Sequence, residues 1–411
     1  MMTAIPTFHT HRLGNGLRII HEAAASPVVY CGYVVCAGTR HEDEADAGMA
    51  HFLEHMSFKG TARRRACHIT NGLERVGGDL NAYTSKEETV YYATVLRPDF
   101  GRAADLLTDI VFRSTYPQHE IDREVEVICD EIDSYKDSPA ELIFDEFEAM
   151  LFRGHPLGRD VLGDAGRLRS YRTADARRFA DRYYRPANAV FYVLGDVDFA
   201  RVVRTMERYT ADLPAATVTK PALPLPPYHP ETRYVERGTH QAHVVIGART
   251  FGGRDGRRAG LMLLNNILGG PGMNSRLNLS LREHAGLVYS VDAYLSTYPD
   301  TGAWNVYFGC DAADVERCRR LVGRELRRLA GTALTPARLA AAKKQLKGQI
   351  GIMCEARESY ALALGKSYAH YGRHRDIQAL CRAIDAVSAP ELQGIAAEVY
   401  DPEGLTTLVY H

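Results

Sequence analysis

The chain has 411 residues, of which 45% are hydrophobic and 25% charged, a composition typical of a globular protein. Fifty basic residues against 51 acidic ones leave a formal charge of −1, which disfavours partners held by bulk charge, such as nucleic acid. No stretch approaches about 18 consecutive apolar residues, so the sequence predicts no membrane-spanning helix. At this length two domains of about 200 residues are expected rather than one hydrophobic core.

Hydrophobic periodicity and turn residues divide the first half of the chain into strands and helices. The predicted strands are residues 17–21, 28–37, 80–84, 89–95 and 189–194. The predicted helices lie within 48–60 and at 67–76, 98–112, 119–150 with a break near Ser138-Pro139, 173–184 and 199–209. The strands at 80–84 and 89–95 flank a short polar turn, so we expect them to pair as a hairpin.

Six prolines between Pro214 and Pro230 predict an extended, semi-rigid linker. We place this linker at 213–232, between an N-terminal domain at 1–212 and a C-terminal domain at 233–411. After the linker, the alternation of predicted strands and helices begins again. The predicted strands there are 241–249, 287–296, 303–308 and 405–410, and the predicted helices are 257–268, 275–284 and most of the remaining C-terminal region.

Two segments at a common offset indicate an internal repeat. Tyr400 lies 216 residues after Tyr184, and Pro402 lies 216 residues after Pro186. Each half would thus close with a helix, a Tyr-x-Pro turn and a strand, although two unrelated units of this kind are an alternative. In a repeat, the helix within 48–60 would have its counterpart near 261–268, which contains Asn265-Asn266 and no histidine.

The stretch His51-Phe-Leu-Glu54-His55 contains the side chains most suited to chemistry. On a helix, His51 and His55 lie one turn apart on the same face, so both imidazoles can bind one cation. Glu54 borders that face, where it is placed to hold a water. This order of residues is the inverted form of a zinc-protease motif. A half-buried helix whose histidines hydrogen-bond locally is the alternative.

A catalytic zinc site needs a third protein ligand, usually a carboxylate from another helix. The acidic segment 122–133 offers such groups, and its Glu124 and Glu131 lie seven residues apart, two helical turns along one face. Spacing alone leaves both Glu131 and Asp130 open as the third ligand. A solvated acidic face is the structural alternative.

The sequence resembles the pitrilysin-type (M16) metallopeptidases, most closely the group of the mitochondrial processing peptidase β-subunit and its bacterial relatives. The segments that carry the resemblance are HFLEHMSFKGT, LNAYTSKEETVYY and REVEVICDEIDSYKDSP. In that family a glutamate 76 residues after the second histidine is a ligand, which selects Glu131, and a further glutamate seven residues earlier falls on Glu124. The resemblance implies an α+β fold of two homologous α/β-sandwich domains, each a mostly antiparallel sheet flanked by helices.

The ligand set and the mechanism are expectations from this resemblance. One Zn²⁺ per chain would be held by His51, His55 and Glu131. Glu54 would take a proton as water attacks the scissile carbonyl and pass it to the leaving amine. Glu124 would orient a ligand or the water.

Two regions are expected to contact the substrate. An extended peptide could add to the strand that contains Asn81, Ala82 and Tyr83 through main-chain hydrogen bonds. Arg282 and Tyr289 match a family segment in which an arginine and a tyrosine seven residues apart contact substrate. A solvated arginine and a core tyrosine are the alternative at these two positions.

The expected function is therefore zinc-dependent endopeptidase activity on peptides or unfolded segments enclosed in a chamber. The family implies that a 411-residue chain forms a homodimer, in which Arg282 and Tyr289 face the zinc site of the partner chain. A non-catalytic or heterodimer partner subunit and a simple metal-binding module are the alternatives. Eight cysteines without a CxxC pair, and no basic stretch followed by an apolar one at the amino terminus, predict reduced thiols and a cytoplasmic location.

Overall fold

The structure of the chain is a computed structural model, which describes residues 8–220 and 223–411. The strands are β1 Phe8–Arg12, β2 Arg18–Ala23, β3 Val28–Val35, β4 Asp79–Thr84, β5 Thr89–Leu96, β6 Ala189–Gly195, β7 Thr232–Val235, β8 Ala242–Phe251, β9 Val288–Thr297, β10 Thr301–Cys310 and β11 Thr406–Tyr410. The helices are α1 Met49–Ser57, α2 Ala66–Glu74, α3 Phe100–Phe112, α4 Gln118–Lys136, α5 Pro139–Leu151, α6 Ala165–Leu168, α7 Thr173–Tyr183, α8 Phe199–Tyr209, α9 Arg258–Gly269, α10 Val315–Gly331, α11 Pro336–Met353, α12 Arg357–Tyr371, α13 Ile377–Ala386 and α14 Ala389–Val399.

The described strands form two sheets with matching topology. The first sheet has the order β1-β2-β6-β3-β5-β4, and the second has the order β7-β11-β8-β10-β9. Without β1, the two orders agree strand for strand along the chain. The parallel pairs are β2 with β6 in the first sheet and β7 with β11 in the second, and the other neighbouring strands are antiparallel. The two mostly antiparallel sheets with flanking helices confirm the predicted α+β fold class.

The sequence pattern missed two strands and the short helix α6, and it gave one helix the wrong type. Both β1 and β7 are short edge strands with almost entirely exposed side chains, so they lack the alternation that predicts a strand. The predicted helix at 275–284 is a π-helix over Asn278–Glu283. Within the predicted linker, residues 213–220 and 223–231 contain no helix or strand, and residues 221–222 lie outside the described part of the chain, as do residues 1–7 of the predicted first domain.

Two compact units divide the described residues, and neither is continuous in sequence. The first unit contains the chain up to Asp133, Arg159–Leu223 and Cys354–Arg375. The second unit contains Ser134–Gly158, Pro224–Met353 and Asp376–His411. The predicted domains were continuous in sequence, whereas these units are not. Ser134–Gly158, from the first half of the chain, lies in the second unit, and Cys354–Arg375, from the second half, lies in the first unit.

Apolar packing explains why α5 belongs to the second unit. Its Ile143 and Phe147 are fully buried and share one core cluster with Val245 of β8 and Leu408 of β11. Burying two such side chains favours this position by roughly 3–6 kcal/mol. Within the described ranges, no helix is long and apolar enough to cross a membrane.

The helix α12 is held on the first sheet by close packing and by buried polar contacts. Gly365 of α12 lies against the Tyr192 ring of β6, so closely that a Cβ atom there would overlap the ring. The buried Glu22 carboxylate accepts hydrogen bonds from Tyr360 Oη (2.9 Å) and from His374 Nε2 (2.7 Å). This segment of the C-terminal half is thus an integral part of the first unit.

A second buried carboxylate, Glu88, makes a corresponding contact at the end of the β4–β5 hairpin. It lies 2.8 Å from Lys366 Nζ and 2.6 Å from His370 Nε2. Burial raises the pKa of Glu88, but the hydrogen bond from His370 and the charge of Lys366 outweigh burial and lower the pKa from 4.5 to about 2. Glu88 is therefore a stabilising anion across the neutral range.

We expect Glu88→Gln to lower the free energy of unfolding at pH 7 by about 2 kcal/mol, because the half-buried Lys366 and His370 lose their hydrogen bonds to a buried carboxylate. The folded-state pKa lies below the ordinary value, so this contribution is complete above about pH 4.5 and is lost as pH falls towards about 2. Urea unfolding at several pH values should show the wild type and the variant converging on acidification. Glu355→Gln is the control, because it changes an exposed carboxylate of the segment Cys354–Arg375, which also contains Lys366. A difference in stability between wild type and Glu88→Gln that does not change with pH would contradict the role of Glu88 as a buried anion.

Candidate metal centre

The packing of α1 fixes the direction of its two histidines. The helix begins after Gly48, whose left-handed backbone (φ 84°) suits glycine. Phe52, Leu53 and Met56 are fully buried in the core of the first unit. His51 and His55 lie on the other side of α1, with ring centroids 4.6 Å apart.

Glu131 of α4 completes a group of three possible metal ligands. Its Oε2 atom lies 3.6 Å from His55 Nε2 and 3.9 Å from His51 Nε2. One ligand atom from each residue lies within 4.8 Å of the others, and no second group of this kind occurs in residues 8–220 and 223–411. Two imidazole nitrogens and one carboxylate oxygen are a donor set of catalytic zinc sites, so these residues fit Zn²⁺. Asp130, the alternative left open by spacing, is not in the group.

Glu124 orients His55. Its Oε1 atom lies 2.9 Å from His55 Nδ1, which leaves the Nε2 atom of that ring directed to Glu131. The other oxygen of Glu124 lies 2.5 Å from Lys59 Nζ. Burial raises the pKa of Glu124, but the contacts to His55 and Lys59 outweigh burial and lower it. A carboxylate behind a ligand histidine fixes the ring and makes the other nitrogen a better donor to a metal.

His51 is held differently. Its Nδ1 atom is buried and has no hydrogen-bond partner in the described structure, so packing rather than a polar contact sets its orientation. Burial, and then the proximity of His55, lower the pKa of His51 to about 3. The ring is therefore neutral at physiological pH, the form that binds a metal.

Glu54 borders the cluster and is tied to the hairpin. Its Oε2 atom accepts a hydrogen bond of 2.6 Å from Thr84 Oγ1 at the end of β4. Burial raises the pKa of Glu54, although the Thr84 hydrogen bond partly opposes the shift. A carboxyl group whose pKa moves towards neutrality can take and release a proton within one reaction cycle.

The predicted peptide-binding strand is an edge of the first sheet. Asn81, Ala82 and Tyr83 lie in β4, which is the last strand of the described sheet and pairs with β5 on one side. Asn81 is exposed, and Ala82 and Tyr83 are half-buried. An edge strand of this kind has free main-chain groups that an extended peptide can bind.

Arg282 and Tyr289 lie together in the second unit. Arg282 is on the π-helix, Tyr289 is in β9, and the guanidinium carbon of Arg282 lies 5.9 Å from the centre of the Tyr289 ring. The Tyr289 side chain is 85% exposed, so it is not the core tyrosine that was the alternative. The two side chains form an accessible pair that combines a cation with a hydroxyl group.

Two residues with a place in this site were missed by sequence reasoning. Thr84 binds Glu54 from another element, and no local pattern in the sequence shows that contact. Lys59 follows His55 by four residues, and both reach Glu124, so helical spacing from the histidine motif was the available signal.

Comparison with known proteins decides the family. Residues 18–165 match the domain described as Insulinase (Peptidase family M16), and residues 172–346 match the domain described as Peptidase M16 inactive domain. The chain belongs to the M16 peptidase family. This confirms the family resemblance inferred from the sequence motifs.

Individual M16 relatives span almost the whole chain. The uncharacterized zinc protease YmxG of Bacillus subtilis is 32% identical over 396 residues, 96% of each protein. The mitochondrial-processing peptidase subunit beta of Bos taurus is 31% identical and covers 97% of this chain and 83% of its own length. The crystal structure of a protease from Helicobacter pylori has the same fold, with a TM-score of 0.90 over 99% of this chain and 100% of that one at 21% identity.

The family match and the names of the relatives support a zinc metallopeptidase. The location of the three possible metal ligands agrees with the descriptions of the two matched domains. His51, His55 and Glu131 all lie within the Insulinase match, whereas the described part of the second match, the inactive domain, contains no such group.

We expect Glu124→Gln to weaken zinc binding about 10- to 100-fold, because His55 loses the carboxylate that orients it. Competition with a chromophoric chelator measures this change. Glu126→Gln alters an exposed carboxylate of the same helix that pairs with Arg169, and it should leave zinc affinity unchanged. Equal affinity of the Glu124 variant and the wild type would show that Glu124 does not support the metal ligand.

Proposed function

We propose that this M16 protein is a zinc-dependent endopeptidase that cleaves peptides or unfolded segments inside a chamber formed by a homodimer. The observation that carries the proposal is the convergence of the ligand atoms of His51, His55 and Glu131 beside the half-buried Glu54. A site that only stores metal has no need of a further, half-buried carboxyl group next to its ligands.

The proposed roles follow from the contacts of each residue. His51, His55 and Glu131 would hold one Zn²⁺ per chain, and Glu124 would keep the His55 ring in place. When bound, Zn²⁺ supplies a Lewis acid that polarises a carbonyl group and makes water more acidic. The chain itself supplies the proton acceptor.

Glu54 is the proposed general base and general acid. It would take the proton from the attacking water and then deliver it to the nitrogen of the leaving amine. The hydrogen bond from Thr84 holds its Oε2 atom and leaves Oε1 for the reacting water. Burial favours the protonated carboxyl group, so Glu54 takes a proton from water more readily than an ordinary carboxylate does.

Substrate binding is proposed at two places. The free edge of β4, at Asn81, Ala82 and Tyr83, would bind the peptide main chain next to the strand end that holds Glu54. The Arg282 guanidinium would orient the peptide, and the Tyr289 hydroxyl would donate a hydrogen bond to the developing oxyanion. In the homodimer that we propose, this pair serves the zinc site of the other chain.

A non-catalytic partner subunit is the second candidate, because one matched domain is described as inactive. The intact cluster, Glu54 and the exposed Arg282–Tyr289 pair in one chain favour catalysis. Such a subunit has no reason to retain all of these groups.

Glu54→Gln should retain stoichiometric zinc and lose peptidase activity by roughly 10²- to 10⁴-fold, because it removes the proton acceptor and keeps the three ligands. Metal analysis and cleavage of a broad library of short unstructured peptides measure the two effects. Glu131→Gln should lose both zinc and activity, and Glu74→Gln, at an exposed site on α2, should lose neither.

Two outcomes would contradict the proposal. Full activity of zinc-loaded Glu54→Gln would exclude Glu54 as the proton acceptor. Failure of the zinc-loaded wild type to cleave any peptide of the library would favour the partner subunit.

Mixing Glu54→Gln chains with Arg282→Ala chains should restore about a quarter of wild-type activity, because half of the dimers would then contain one complete site. Peptide cleavage after demonstrated subunit exchange is the measurement. Glu54→Gln mixed with Glu131→Gln is the matched control, since both changes damage the zinc side and no complete site can form. No recovery in the first mixture despite exchange would exclude sites shared between chains.

A further inference from the structure

The helix α1 carries two of the three possible metal ligands, yet its amino end has no capping side chain of its own. Gly48 precedes the helix, and the first turn contains no acidic residue. A side chain would not fit at this position, because a Cβ atom on Gly48 would lie 2.8 Å from the Cα atom of Gly163. The first N–H groups of a helix need acceptors, so another part of the chain has to supply them.

Glu42, which lies six residues before Gly48, supplies two of these acceptors. Its Oε2 atom accepts a hydrogen bond of 2.9 Å from the Gly48 N–H, and its Oε1 atom accepts one of 2.8 Å from the Ala50 N–H. The residue is 2% exposed. Each oxygen of one buried side chain therefore binds a main-chain donor at the end of α1 where the helix dipole favours negative charge.

The turn that Glu42 holds is the turn that contains His51. Ala50 immediately precedes this possible ligand, and the His51 Nδ1 atom has no hydrogen-bond partner among the described residues. His55, one turn later, is instead held directly by Glu124. The position of His51 therefore depends on the position of its main chain, and Glu42 holds the main chain beside it.

The charge of Glu42 decides how well it can accept these two hydrogen bonds. Burial raises the pKa of Glu42 to about 8, although the hydrogen bonds from Ala50 and Gly48 partly oppose the shift. An ionised carboxylate accepts through both oxygens, whereas a protonated carboxyl group carries a proton on one of them, next to a main-chain N–H. Full capping of α1 by both oxygens therefore develops as the pH rises through about 8.

The charged and titratable neighbours of Glu42 come from several parts of the first unit. The charge of Arg159, which donates a hydrogen bond of 2.6 Å to the Glu42 carbonyl, lowers the pKa of Glu42, and the charge of Asp46 raises it. Burial raises the pKa of Tyr171 far above its ordinary value and raises the pKa of Tyr183 to about 12. Both tyrosines therefore stay neutral up to pH 9.

We propose that Glu42 is a positioning residue of the zinc site, and that ionisation of its buried side chain and binding of Zn²⁺ favour each other. The proposal rests on the ligand set of the proposed function. Ionised Glu42 holds the first turn of α1 through both oxygens and so keeps His51 where it meets the other two ligands. Because such coupling is reciprocal, bound Zn²⁺ favours the ionised form of Glu42 to the same extent.

The zinc affinity of the full chain at pH 6.5 and at pH 9 tests the proposal without a peptidase assay. The side chain of Glu42→Gln accepts through one oxygen at every pH, as protonated Glu42 does. We expect the wild type and Glu42→Gln to bind zinc almost equally at pH 6.5. At pH 9 the variant should bind about tenfold more weakly, because it lacks one hydrogen bond to a charged group. Competition with a chromophoric chelator measures both affinities.

Glu22→Gln is the matched control, because Glu22 is a buried carboxylate of the same unit whose hydrogen bonds come from Tyr360 and His374. Its zinc affinity should equal that of the wild type at both pH values. Glu42→Asp is a second variant in case Glu42→Gln does not fold. Its carboxylate is one methylene shorter and cannot reach both donors, so it should show the same loss at pH 9.

Two results would overturn the proposal. A merely structural role of Glu42 predicts that the affinities of the wild type and Glu42→Gln differ by the same ratio at both pH values, or not at all. Failure of the wild type to bind zinc at either pH would contradict the ligand set as well. The first result leaves the proposed zinc site intact and removes only the role of Glu42, so the two failures can be told apart.

Discussion

The burial of one face of α1 is the constraint on which the candidate metal centre depends. Phe52, Leu53 and Met56 are inaccessible to solvent, so the helix cannot rotate without exposing them. This fixed orientation places His51 and His55 on the side of α1 that meets Glu131. The surrounding carboxylates then refine the arrangement, since Glu124 positions a ligand ring and the hairpin holds Glu54. A hydrophobic contact sets the coarse geometry, and polar contacts set the fine geometry.

Much of this arrangement could be predicted from local sequence patterns. Helical spacing was sufficient to place His51 beside His55, and the offset between Tyr184 and Tyr400 indicated a repeat that the matching strand orders now support. The choice of Glu131 over Asp130 needed the family resemblance, because two adjacent residues of a helix differ only in the direction of their side chains. The contact of Thr84 with Glu54 could not be predicted, since it depends on the tertiary position of a hairpin. The exchange of segments between the units was missed for the same reason.

The two sheets show how one topology supports different local chemistry. In the first unit, Glu54 of α1 accepts a hydrogen bond from the edge strand β4. In the second unit, Asn265 of α9 donates a hydrogen bond of 3.0 Å to the Ala293 carbonyl of β9, the strand at the matching place. A hydrogen bond between a helix and an edge strand is present in both units. Among the described residues, a group of possible metal ligands is present only in the first unit.

The assignment of α12 to the first unit has a consequence for the synthesis of the chain. The first sheet is complete once β6 has left the ribosome, yet Glu22 and Glu88 still lack Tyr360, His374, Lys366 and His370. Until residue 375 emerges, two carboxylates that are buried in the native unit have no partners, and the first unit cannot reach its native state. Domains usually fold in order from the amino terminus during translation, but here the first unit must wait for most of the second half of the chain. The first unit therefore becomes native only after most of the second half of the chain has been translated.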